Sequence, residues 1–146
     1  MRHFFALAIA VLLGTALVGV ASADSAYHTE RLALHGLSGA PGGGMVVNVH
    51  ADGPVVYAHE IYVLNGAVPG AYQVTLNIFP SSLDCTGGSL AIPTAMLATN
   101  AEGNGRADVK FTPADADGLR GLTVSAFWTV AGPATYATDC TVITLD

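Results

Sequence analysis

The sequence predicts an antiparallel all-β domain, either a β-sandwich or a small barrel, and three observations carry that prediction. Short stretches of alternating apolar and polar residues recur along the chain, the period-2 pattern of half-buried strands. Turn signals rich in Gly, Pro, Asn and Asp separate them roughly every 8–12 residues. No stretch after the N-terminal region carries the 3.6-residue repeat of an amphipathic helix.

The clearest stretch is Tyr57–Phe79. Tyr72, Val74, Leu76 and Ile78 fall on one face and Gln73, Thr75 and Asn77 on the other. Asn65-Gly66 and Pro69-Gly70 supply turn chemistry before it, because Pro presets φ and Gly takes a positive φ. The asymmetry of the stretch makes Pro69-Gly70-Ala71-Tyr72 a corner between sheets rather than a plain hairpin. In chain order, strands are expected over 28–34, 45–51, 55–64, 72–79, 94–99, 106–112, 122–130 and 135–145. The sixth places Ala107, Val109 and Phe111 inward and Arg106, Asp108 and Lys110 outward. The seventh places Leu122, Val124, Ala126, Trp128 and Val130 on one side, with Trp128 as the large core residue. Asp52-Gly53 reads as a two-residue hairpin. Gly36–Gly44 reads as a plain connection, because no Lys-Ser/Thr pair and no helix pattern follow it. Pro80–Pro93 reads as a long loop and Pro113–Arg120 as a turn.

The first 23 residues read as a secretory signal peptide: a basic start at Arg2, an apolar run from Phe4 to Val20, and a small-x-small site at Ala21-Ser22-Ala23. A single domain over residues 24–146 follows, secreted to the extracellular space or the periplasm, with no membrane association after cleavage. Without Arg2, only Arg31, Arg106, Lys110 and Arg120 stand against eleven acidic residues. Nucleic-acid phosphates require clustered Lys and Arg, so that partner class is excluded, and so is electrostatic docking on anionic lipid. Export places Cys85 and Cys140 in an oxidising compartment, where two cysteines form a bridge. The absence of a CxxC spacing removes thioredoxin-type chemistry.

Several histidines in a secreted chain suggest copper or zinc. With a two-residue turn at Asp52-Gly53, His50 would face Val55 and His59 would face Val46, leaving the imidazoles roughly 13 Å apart along the ladder. His28 and His35 are an odd number of residues apart and point to opposite faces. No His pair is therefore expected locally, and only a site assembled across sheets would bind metal. Asn100–Gly105 matches the first half of a calcium loop, but its twelfth position is Phe111, so a hairpin turn is the better reading. Asp115 and Asp117 form a similar fragment. Glu60 and His59 are strand neighbours and point oppositely. No paired carboxylates, no G-x-S-x-G elbow and no other catalytic constellation emerges, so no catalytic, cofactor-binding or metal-binding residue is assigned.

Gly66–Val74 resembles the G-L-x-P-G-x-Y-x-V segment of immunoglobulin-like and fibronectin-III-like bacterial surface domains. There the tyrosine opens a core strand and fixes the corner where the chain changes sheet. Thr99–Gly105 resembles the T-D-x-x-G hairpin of carboxypeptidase-regulatory-like and collagen-adhesin B-type domains. Ala67 replaces the usual Leu, and the two segments come in the reverse order here. The resemblance implies an immunoglobulin-like sandwich of about seven to eight strands whose members bind or space rather than catalyse. The expected function is therefore a non-catalytic binding or cell-surface module for a protein or carbohydrate, without a cofactor. The alternatives are an extracellular Cu/Zn or Ca binder and a small secreted hydrolase.

Overall fold

The computed structural model describes residues 28–50, 58–112, 115 and 121–145. The expected signal peptide, the terminus before His28, the Asp52-Gly53 turn and most of the Pro113–Arg120 turn lie outside them. The described residues form nine antiparallel strands: β1 (His28–Gly36), β2 (Gly43–His50), β3 (Ala58–Asn65), β4 (Ala71–Phe79), β5 (Leu90–Ala98), β6 (Gly105–Phe111), β7 (Leu122–Ala131), β8 (Thr135–Ala137) and β9 (Thr141–Leu145). A 3₁₀ turn covers Leu37–Gly39. The all-β antiparallel class is as expected.

The strand order is β5-β4-β7-β8-β1-β2-β3-β6, with β9 also on β7. The two ends of this path meet again at the Thr99–Gly105 bridge, so the sheet curls into a nearly closed barrel. β3 lies beside β6, while β4 lies beside β5 and β7, which is a Greek-key path. The chain therefore crosses the barrel at the β3–β4 corner. There Gly70 sits at φ 155 and the Tyr72 hydroxyl donates to the Val68 carbonyl at 2.5 Å.

Inward residues follow the period-2 pattern. Trp128, Tyr62, Tyr72, Tyr136, Leu64, Leu97, Val46, Val74, Val124 and Val130 are fully buried. At the corner end, Tyr72 and Tyr136 meet edge-on, 5.9 Å between centroids. Their hydroxyls escape burial cost by donating to backbone carbonyls, Tyr136 to Pro41 at 2.7 Å. The Asn100–Asn104 turn clasps the same end. Ala67 N–H donates to Gly103 O at 3.0 Å and Gly66 N–H to Asn104 Oδ1 at 3.1 Å. Gly103 has φ 76, and a Cβ there would stand 1.9 Å from Ala67 O, so the position needs glycine on both counts.

Three sequence expectations are corrected. β2 and β3 pair His50 with Ala58 and Val49 with His59, a register that a two-residue turn at Asp52-Gly53, which would set His50 opposite Val55, does not give. β5 begins at Leu90, inside the expected Pro80–Pro93 loop. Pro93 sits where the β4–β5 register shifts, the kind of irregular position at which a missing N–H is tolerated. The expected last strand is split. Between the pairs Thr129–Ala137 and Ala126–Thr141, β7 advances three residues and its partner four, which is a β-bulge. Thr138 fills the break by exchanging bonds with Trp128: its N–H donates to Trp128 O and its Oγ1 accepts from Trp128 N–H, both at 3.0 Å. Cys140 lies in this bulge and forms the disulfide with Cys85. In the chain-entropy view the 55-residue separation is worth about 4 kcal/mol.

Candidate functional site

The bulge has a consequence for closure. β8 pairs with β1 at His35–Ala137 and Gly36–Tyr136 only. Beyond it β9 pairs with β7, and β1 pairs with β2, with no register between β1 and β9 among the described residues. The barrel therefore opens along a seam. A cleft of about 400 Å³ occupies it, lined by His28, Glu30 and His50 on one side and Val142, Ile143 and Thr144 on the other.

The polar lining comes from strand register. β1 and β2 pair His28 with His50 and Glu30 with Asn48, all on the inward face. The two imidazoles stack, with centroids 5.2 Å apart. His50 Nε2 lies 3.1 Å from Glu30 Oε1, and Asn48 Nδ2 donates to Glu30 Oε2 at 3.1 Å. Burial pushes the Glu30 carboxyl up, but the hydrogen bond and charge of His50, with the Asn48 bond, hold it below the usual carboxylate range.

One strand further, the same row continues. Asn48 pairs with Glu60, whose side chain is sealed in the interior, 2% exposed. Trp128 Nε1–H donates to Glu60 Oε2 at 2.9 Å, and the Tyr62 hydroxyl, 2.7 Å from Thr94 Oγ1, bonds the same oxygen. Burial raises the Glu60 carboxyl to about 7, and its two neutral donors offset only part of that. Burial and the neighbouring Glu60 likewise push the Tyr62 phenol up. Asn48 Oδ1 is buried between the two carboxyl groups' strands, with no hydrogen-bond partner among the described residues.

Chemically, the arrangement offers an ionised, partly exposed carboxylate beside two imidazole rings at an open mouth. Behind it lies the Glu60 carboxyl, raised to about 7 by burial and not part of the cleft lining. His59 and Glu60 do point oppositely, as the sequence predicts: His59 is on the outer face, 3.3 Å from Asp108. The expectation that no His pair forms locally is corrected by His28 and His50. A polar i, i+2 pair near the start of one strand (His28, Glu30) and another at the end of the next (Asn48, His50) is the signal that could have found them. Among the described residues, no group of three or more His, Cys, Asp or Glu side chains is placed to hold a metal ion. Asn100 uses its side-chain oxygen on Glu102 and Asn104 N–H at 3.1 and 2.9 Å, and its carbonyl on Gly103 N–H, as a hairpin turn does. Asp115 accepts from Thr112 N–H and Oγ1; Asp117 lies outside the described residues.

At the opposite end, a second cleft of about 310 Å³ lies between the 3₁₀ turn and Pro133–Thr135 and has no titratable lining. No protein family, curated protein or solved structure matches this chain.

Proposed function

We propose that this chain is a secreted, non-catalytic binding domain and that its ligand site is the seam between β1 and β9. The single observation that carries the reading is the failure of the barrel to close there, which leaves Glu30, His28 and His50 lining an accessible cleft. Concave sites with a few convergent polar groups are where ligands bind. The Cys85–Cys140 bridge supports an oxidising compartment. An immunoglobulin-like relationship is supported by the Greek-key path and by the Tyr72 hydroxyl on the Val68 carbonyl at the sheet-changing corner. The continuous strand order through β8 and β1 departs from two separate sheets.

Two-dimensional NMR of the labelled protein, titrated with fragment and oligosaccharide libraries, tests the site. Saturable shifts clustered on His28, Glu30, His50 and Val142–Thr144 are expected, and shifts confined to other surfaces sink it. Turnover of a panel of esters, glycosides or peptides would overturn the non-catalytic part. Glu60 is the remaining carboxyl of the row, and its seal behind Tyr62 and Trp128 keeps it from a substrate in the cleft. The metal-binding alternative reduces, among the described residues, to the Glu30–His50 pair with the stacked His28. Calorimetric titration with Cu(II), Zn(II) and Ca(II) separates it from the leading reading.

A further inference from the structure

The two walls of the seam are strand edges. Among the described residues, β1 from Thr29 to Leu34 has β2 on one side and no hydrogen-bonded strand on the other. β9 has β7 on one side and none on the other. A strand edge presents N–H and C=O groups ready to pair with another chain, and extended peptides bind by adding to such an edge. The remaining edge of the path is blunted: β5 carries Pro93, and its end is bridged to β6 through Thr99 and Gly105.

Resting on the seam as the binding site, we propose that it takes an extended peptide segment of a partner protein, added as a strand to the β1 edge with a Lys or Arg beside Glu30. Charge argues for a basic peptide. The chain has eleven acidic residues against five cations. Glu30 is 23% exposed at the cleft, and the 91%-exposed Asp139 stands 3.9 Å from His35 at the point where β1 and β8 part. The described lining argues against a sugar, since it offers no Trp or Tyr platform for a pyranose ring. The β1 ladder supplies main-chain affinity, while Glu30 selects the cation and fixes register.

The test uses a random phage-displayed 12-mer library panned on the purified full chain. The selected peptide is then synthesised plain and with alternate backbone nitrogens methylated. The expected peptides carry Lys or Arg within an alternating pattern and slow hydrogen exchange at the Thr29–Leu34 amides. Backbone methylation and Glu30→Gln should each weaken binding by about tenfold or more, the loss of a charged or main-chain bond set. A library that yields no binder, or peptides that protect amides elsewhere, overturns the proposal. So does a seam-bound peptide indifferent to methylation, although that result leaves the seam standing as a binding site. Absence of any seam perturbation by peptides, fragments or oligosaccharides defeats both readings together.

Discussion

Glu30 and Glu60 are the same residue type in one inward-facing row, separated by Asn48, yet they are driven in opposite directions. Glu30 sits at the open seam, held by His50 and Asn48, and is pulled below the ordinary carboxylate range. Glu60 sits two strands deeper, met by a phenol and an indole N–H, and is raised to about 7. Closure of the barrel makes the difference. Where the sheet opens, a partly solvated carboxylate with a potential cation beside it stays ionised. Where the sheet is sealed, the charged form loses its water and two neutral donors cannot replace it.

The largest expected effect comes from breaking the seal. Trp128→Ala removes a fully buried ring and one of the two donors to Glu60, and should cost about 5 kcal/mol by chemical denaturation. Thr144→Ala at the exposed wall of the seam should change stability by no more than about 0.5 kcal/mol. Next is the bridge. Replacing Cys85 and Cys140 together with Ser should cost about 4 kcal/mol. It should also speed amide exchange in β9 more than in β3, because Cys140 lies in the bulge at β9's entry.

The third effect is a pH dependence of opposite sign for the two carboxyls. A folded-state value of about 7 for Glu60 against roughly 4.3 unfolded means that the native state holds the extra proton between those values. Stability therefore falls as pH rises from about 4.5 to 7, by about 3 kcal/mol, and levels above. Glu60→Gln should abolish that slope and leave the variant more stable than the parent at pH 8; an unchanged slope would show that another group is responsible. The smallest effect is at Glu30. Its depressed value adds stability that is present above the unfolded carboxylate pKa and lost as pH falls through the folded one. Glu30→Gln should remove less than about 1 kcal/mol near pH 7 and blunt only the acid limb, given its partial exposure.

The parts of this molecule written in local pattern were legible. The face of β4, the inward set of β6, Trp128 as a core ring and the corner at Tyr72 all follow from period 2 and turn chemistry. The Cys85–Cys140 pairing followed from the expected export and the count of two. What local pattern missed was register and edges. Asp52-Gly53 is a strong two-residue hairpin signal, but the ladder pairs His50 with Ala58, and this register sets His59 opposite Val49 on the outer face, away from His50. Pro93 hid the first half of β5, because a proline excludes a central strand but not a bulge at an edge. The bond from Trp128 to Glu60 joins residues 68 apart in sequence, and nothing local announces it. The seam was equally hidden, since it depends on a one-residue slip between β8 and β9.

Trp128 is the single tryptophan of the chain, and its ring nitrogen donates to the Glu60 carboxyl, which burial raises to about 7. The protein thus carries a built-in indicator. Adding or removing a proton on Glu60 changes the field on a lone indole in a dry, fixed environment, so intrinsic emission tracks that site without labels. The folded molecule can report the ionisation of its own interior while remaining folded, and a titration followed at 25 °C would read the sealed site directly.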